Sequence, residues 1–405
     1  MGKKTDCLFL TGTVILLLSG CSVFQQMDSA ERQKTAPQCK VYQVPFDYER
    51  GWILVKARLN GSLEECVFVL DTGSTITGIS RRLLNKIGFQ DLGQRTIAID
   101  ITGAASKVPY GRIDSVNMGE AEFKDIEAAG IDTDRISHDL CERIDGFIAS
   151  NMFKDWILQI DYRYQMITFA ERKECLPAIE GSYHTEFLFS DDGSTPPRCW
   201  CVFNGTLKKL IFLDTGNPGS IVIPSYMFKE TGQTTDGEEG MKAWGRRQVG
   251  IFGTIREEQY TNVDTIEIGN LKMEDVPVIV GEYAHSTLGN GFFQGFLVQL
   301  DYPRREIIFA PYANVRLNSH PSFFGFLWSY EKGKATVDWL YDNSPASEGG
   351  IEIGDEIMSI NGQQITPHIS HERLCDIKRS LGSADTLELV LKREGTIIDA
   401  SIKKR

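Results

Sequence analysis

Two short stretches of this chain combine residue types that can carry out hydrolysis. Val67-Phe-Val-Leu-Asp-Thr-Gly-Ser-Thr-Ile-Thr-Gly-Ile-Ser80 ends an apolar run in Asp71, Thr72, Gly73 and Ser74. Leu210-Ile-Phe-Leu-Asp-Thr-Gly-Asn-Pro-Gly-Ser-Ile-Val-Ile-Pro224 repeats the pattern with Asp214, Thr215, Gly216 and Asn217. A single Asp-Thr-Gly most often marks a turn, but two in matching contexts call for a joint explanation. Two carboxyls brought face to face cannot both ionise, because like charges at short range raise one pKa. Such a pair titrates as a unit and offers a base and an acid together. Hydrolysing an amide with water alone requires both.

The elements that must position these carboxyls are strands. Both apolar runs are rich in β-branched, aromatic and leucine side chains and read as buried strands, and each glycine lets backbone pass close to a carboxylate. Trp52-Ile-Leu-Val-Lys-Ala-Arg-Leu59 followed by Asn60-Gly61 reads as a strand and hairpin turn that deliver the chain to Asp71. The surrounding sequence is an internal repeat. Asp71 and Asp214 lie 143 residues apart, Asn60-Gly61 matches Asn204-Gly205, and Gly103, Asp114 and Gly119 match Gly253, Asp264 and Gly269 at a separation of 150. Asn151-Met-Phe-Lys-Asp-Trp-Ile-Leu-Gln-Ile-Asp-Tyr162 matches Gly291-Phe-Phe-Gln-Gly-Phe-Leu-Val-Gln-Leu-Asp-Tyr302. The expectation is a mainly β body made of two copies of one unit, with a short helix at Asn151–Asp155. Asp161 and Asp301 are read as turn residues.

This two-lobed pattern, over about Val41 to Pro311, resembles the aspartic proteases of the pepsin and retroviral-protease clan. The resemblance implies a pseudo-two-fold, bilobal acid-protease β-barrel in which Asp71 and Asp214 share one proton across a common cleft. It also implies that Thr72 and Thr215 hydrogen-bond to the opposite loop, that Gly73 and Gly216 let backbone amides reach the carboxylates, and that Ser74 donates to its own aspartate. Asn217, followed by Pro218, departs from the usual Ser, Thr or Ala, and its amide is a candidate replacement donor. Thr102-Gly-Ala-Ala-Ser106 and Val249-Gly-Ile-Phe-Gly-Thr254, with Gly103 and Gly253, stand where flaps would close over substrate, though ordinary hairpins fit them equally. Tyr110 is a candidate flap tyrosine of uncertain register. The substrate implied is an extended peptide or unfolded protein.

Beyond residue 321 the composition changes. Phe323-Phe-Gly-Phe326, Ser344-Pro-Ala346, Gly354-Asp-Glu-Ile357 and Ile360-Asn-Gly362 resemble a bacterial PDZ domain of small α+β type. By that resemblance Phe324, Gly325 and Phe326 form the loop that receives the carboxylate of a C-terminal peptide ligand.

The first 21 residues, with Lys3 and Lys4, an apolar Leu8 to Leu18 and Leu18-Ser-Gly-Cys21, resemble a lipoprotein signal peptide. Cys21 would then carry the lipid and anchor the chain to a membrane, in the envelope and by Ser22 on the outer membrane of a two-membraned bacterium. The resulting division is 1–21 signal peptide, 22–40 polar tether, 41–180 first lobe, 181–311 second lobe and 322–405 PDZ-like domain. A composition of 41% hydrophobic and 24% charged residues is that of a globular protein, and a net charge of -12 argues against a nucleic-acid partner. Seven of the nine cysteines follow Cys21, an odd number that leaves at least one thiol without an intrachain partner, and Cys199 and Cys201 share a strand face poorly placed for bonding each other. No Cys/His spacing suggests a metal, and no cofactor is assigned. The function expected is an aspartic endopeptidase with a PDZ-like domain for peptide or substrate recruitment, one chain sufficing for activity. The alternative is a catalytically silent peptide-binding or scaffolding lipoprotein.

Overall fold

Each half of the body begins with a hairpin whose turn demands positive φ at two consecutive residues. Asn60 and Gly61 take φ of 48 and 67 at their counterparts Asn204 and Gly205, and 47 and 72 themselves, a conformation that Asn and Gly adopt most readily. Each Asn also closes its lobe: the Asn60 side chain accepts the Ser115 amide at 3.0 Å and Asn204 that of Thr265 at 3.2 Å. The computed structural model describes residues 39–190, 195–233, 240–312 and 323–404. The region of Cys21, the proposed signal peptide and all but the end of the tether lie outside them. The elements below belong to one unit, Val41–Arg405, distinct from Met1–Lys40.

Among the described residues the fold is mainly β, with 53% strand against 13% helix, in barrel-like sheets. In the first half, Cys66–Asp71 runs parallel to Gly146–Ala149, and Thr77–Ser80 runs parallel to the end of Ala121–Ile131. In the second, Leu207–Leu213 runs parallel to Thr287–Leu288 and Ile221–Pro224 to the end of Leu271–Gly281. The repeat in sequence is therefore a repeat in topology.

A six-stranded antiparallel sheet joins the halves. Ile157–Asp161 pairs with Phe296–Asp301 at its centre, with Gln159 opposite Gln299 and their side-chain amides 3.2 Å apart. Met166–Ala170 and Val41–Pro45 extend it on one side, and Glu306–Pro311 and Tyr183–Leu188 on the other. Asp161 and Asp301 end the central strands by accepting turn amides from Arg163 and Arg304, both at 3.0 Å. At Asn151–Asp155 the helical segment is one 3-10 turn, Ser150–Met152.

One large core spans both halves, and its aromatic residues brace the loops that carry the triplets. Phe309, fully buried, packs against Phe292, Phe293 and Phe296 beneath the short helix Asn290–Phe293. The C-terminal domain has its own core of strands Phe326–Glu331, Lys334–Tyr341, Glu356–Ile360, Thr386–Arg393 and Thr396–Lys403, packed on helix His371–Ser383. Cys66, Cys199 and Cys201 are free and buried, the last two with sulfurs 3.8 Å apart but unbonded. Cys141 is bonded to Cys375, and Cys39 and Cys175 are also disulfide-bonded. Phe309→Ala should lower unfolding free energy by about 3–5 kcal/mol, read from urea midpoints at unchanged slope.

Candidate active site

Asp71 ends strand Cys66–Asp71, and Asp214 follows Leu207–Leu213 directly. Both strands are interior members of their sheets, so the chain must turn away at each aspartate. Asp71 is held by pairing with Ala149, and Asp214 by donating its amide to the Leu288 carbonyl at 2.9 Å. The two loops meet, and each carboxyl lies in the space left by the opposite loop's glycine.

Thr72 and Thr215 hold this arrangement. The Thr72 hydroxyl donates to the Leu213 carbonyl at 2.7 Å and accepts the Thr215 amide at 3.1 Å. Reciprocally, the Thr215 hydroxyl donates to the Leu70 carbonyl at 2.8 Å and accepts the Thr72 amide at 3.0 Å. Both threonines are buried, so the four bonds form away from competing water. Gly73 and Gly216 are required for a reason the sequence reading described only in part. A Cβ on Gly73 would collide with the Asp214 carboxyl, and one on Gly216 with that of Asp71. The space each glycine leaves is filled by the opposite loop's aspartate.

The carboxyl environments differ. Asp214 accepts the Gly216 amide at 2.9 Å on its carboxyl, whereas the Ser74 amide donates to the main-chain carbonyl of Asp71 at 3.4 Å. Burial pushes Asp71 up to about 6, partly opposed by the nearby backbone amides of Ser74 and Gly73. Burial, and then the charge of Asp71, raises Asp214 well above the ordinary carboxylate range. Both carboxyls are thus held above the ordinary carboxylate range, and the pair titrates as one unit.

Two expected donors do something else. The Ser74 hydroxyl donates to the Ile76 carbonyl at 3.2 Å, and its amide donates to the main-chain carbonyl of Asp71 at 3.4 Å. Asn217 does not replace it at Asp214: its side-chain nitrogen donates to Thr287 Oγ1 at 2.7 Å and its oxygen accepts the Gly219 amide at 2.8 Å. Pro218, next in line, abuts Gly51 of the first half, where a Cβ would collide with it. The departure at 217–218 thus stiffens the turn and seats it on the other half.

Asn290 escaped the sequence reading. Fully buried, it donates to the carbonyls of Thr215 at 2.7 Å and Gly51 at 2.8 Å and accepts the Tyr162 hydroxyl at 2.7 Å. The available signal was its place one residue before the repeated segment at Gly291. Where the first copy pairs Thr77 with Asn151 at 2.9 Å, the second has Gly291 opposite Ser220, whose hydroxyl is buried with no partner.

The two flap candidates are long hairpins, Gln90–Ile99 with Ala105–Met118 and Met241–Val249 with Gly253–Ile268. Their turns meet. One oxygen of Asp100 accepts the amides of Phe252 and Gly253, each at 2.7 Å, and the Ala284 amide donates to the Ile101 carbonyl at 2.9 Å. Gly103 takes φ of 84, while Gly253 lacks positive φ and instead makes room for Thr102. Ile101 packs on a second-half cluster that includes Ile279, and Ile251 on a first-half cluster that includes Val69 and Phe147. Tyr110 lies down the first hairpin, beside Glu127, and not at its tip. In the C-terminal domain, the carbonyl of Phe324 accepts the Ala346 amide at 2.9 Å, that of Gly325 accepts the Tyr341 amide at 2.9 Å, and Phe326 opens the first strand. Gly325 has φ of 92 and packs on Ser344 where a Cβ would collide.

Residues 55–151 match the family model described as aspartyl protease, a span that includes Asp71 but ends before Asp214, and residues 314–392 match that of the PDZ domain. No curated protein matches the chain. Among solved structures it is similar to the crystal structure of Basic 7S globulin from soybean, with 10% identity and a TM-score of 0.43 over 69% of this chain and 98% of that one.

Thr72→Val keeps the shape but removes a hydroxyl that donates once and accepts once, leaving the Leu213 carbonyl and the Thr215 amide buried without partners. Each such group costs about 1–3 kcal/mol, so chemical denaturation should show a loss of about 2–6 kcal/mol.

Proposed function

We propose that this protein is an aspartic endopeptidase in which Asp71 and Asp214 form the catalytic dyad. The observation that carries the reading is the meeting of the two Asp-Thr-Gly loops through the reciprocal Thr72 and Thr215 hydrogen bonds, which sets each carboxyl against the opposite loop's glycine. The aspartyl-protease match over 55–151 supports it independently. In the proposed cycle the ionised Asp71 takes a proton from water as the water oxygen attacks the peptide carbonyl carbon. Asp214 gives its proton to the carbonyl oxygen, producing a neutral geminal diol. Asp71 then protonates the departing nitrogen, Asp214 recovers a proton from one diol hydroxyl, the C=O bond re-forms and the C–N bond breaks. The dyad ends as it began. Thr72, Thr215, Gly73, Gly216 and Asn290 hold the geometry, the Ser74 amide favours ionised Asp71, and the paired flap turns would have to part to admit an extended peptide.

The test is digestion of an unbiased peptide library by the chain and by Asp71→Asn and Asp214→Asn, across pH 3 to 8. Cleavage by the parent alone is expected, each substitution costing at least about 10³-fold; a variant that still cleaves contradicts the dyad assignment. The expected kcat/KM falls as pH drops through about 6, where Asp71 becomes protonated. Stability carries the complementary sign. A folded-state pKa above the ordinary 3.8 means the native state binds protons more tightly, so the dyad's contribution is full below 3.8 and is lost as pH rises toward 6 and beyond. Asp71→Asn should therefore be at least as stable as the parent at pH 7, which thermal melts would register.

A further inference from the structure

The C-terminal domain is joined to the second flap by backbone pairing. In the flap's outer strand, Ala243, Trp244 and Gly245 pair with Tyr341, Leu340 and Trp339, and the Asp342 amide donates to the Lys242 carbonyl at 2.7 Å. Gly245 lies so close to the Asp338 carbonyl that a Cβ would collide with it. Because Lys334–Tyr341 also pairs with Phe326–Glu331, one continuous sheet runs from the C-terminal domain into the flap.

Side chains reinforce the seam. Glu258, on the flap's inner strand and buried, receives Arg247 at 2.6 Å and the Tyr341 hydroxyl at 2.7 Å on one oxygen, and the Tyr283 hydroxyl at 2.8 Å on the other. A buried carboxylate needs this full set of donors, and Tyr341 supplies one from outside the lobe. Trp339, fully buried, packs in the same cluster on which Ile101 of the first flap turn rests. A second attachment lies on helix His371–Ser383. Its positions 371, 375 and 378 share one face, and that face meets the first lobe: the His371 ring is 4.9 Å from that of His138, Cys375 is bonded to Cys141, and Lys378 donates to the His138 carbonyl at 3.4 Å.

We propose that the C-terminal domain is a fixed support for the second flap, with Tyr341 as the positioning residue and the Cys141–Cys375 bond as the latch that keeps the domain seated. Its proteolytic consequence rests on the endopeptidase reading. A dithiol opens the latch by transferring two electrons and two protons: the S–S bond breaks to two thiols and the dithiol leaves as a cyclic disulfide. Replacing the cysteines reproduces that state without touching other disulfides.

The experiment compares the full chain with Tyr341→Phe and with the Cys141→Ala/Cys375→Ala double variant, by hydrogen exchange and by peptide cleavage. In both variants, exchange across 241–258 should accelerate about tenfold, while 157–161 in the central sheet keeps its protection. KM should rise about tenfold with kcat within about threefold, a split that uniform loosening of the fold would not produce. Unchanged exchange at 241–258 in both folded variants overturns the proposal, as does acceleration spread evenly over the chain. Accelerated flap exchange with no cleavage by any form, the parent included, leaves the support standing and overturns only the endopeptidase reading. Should Tyr341→Phe fail to fold, the double cysteine variant, which leaves the buried Glu258 centre intact, decides alone.

Discussion

Two hydroxyls hold the centre of this molecule. Thr72 and Thr215 each donate to a carbonyl and accept an amide of the opposite loop, so neither loop satisfies its backbone alone. In a buried setting, where an unmade hydrogen bond costs more than a made one gains, the two halves are bound to a single register. The mutual approach of the carboxyls follows, because the register places each aspartate in the space that the other loop's glycine leaves empty. The six-stranded sheet beneath, centred on Gln159 and Gln299, fixes the same symmetry from the other side.

Departures from symmetry make the two carboxyls chemically unlike. The Asp214 carboxyl accepts the Gly216 amide, while in the first loop the Ser74 amide goes to the main-chain carbonyl of Asp71. Asn217 is turned into its own loop and Asn290 spans Tyr162, Thr215 and Gly51. Two copies of one unit thus provide the geometry, and the local differences between them give the two carboxyls different surroundings.

Much of this was legible in the residues. The Asn-Gly turns, the triplets and the offsets of 143 and 150 report local demands, positive φ, strand ends and close approach, that leave a mark in sequence. The Asp-Tyr segments did so too, as turn residues. Side-chain directions were less accessible: whether the Ser74 hydroxyl faces Asp71 or the Ile76 carbonyl depends on the rotamer, and residue type is the same in both cases. Asn217 could cap its own turn or reach the carboxylate with the same chemistry. The seam between flap and C-terminal domain was invisible, since backbone pairing of Ala243–Gly245 with Trp339–Tyr341 needs no particular side chain. The PDZ-type domain, whose attachment the sequence left open, is built into the neighbouring sheet.

The most direct test is to observe the shared proton itself, by carbon NMR of carboxyl-labelled aspartate, with Asp71→Asn and Asp214→Asn spectra to assign the pair. The expected result is one group titrating near 6 and a second remaining protonated well above it, the two responding to one another and collapsing to a single perturbed titration in either variant. Two independent titrations near the ordinary 3.8, each unaffected by loss of the other, would contradict a coupled dyad.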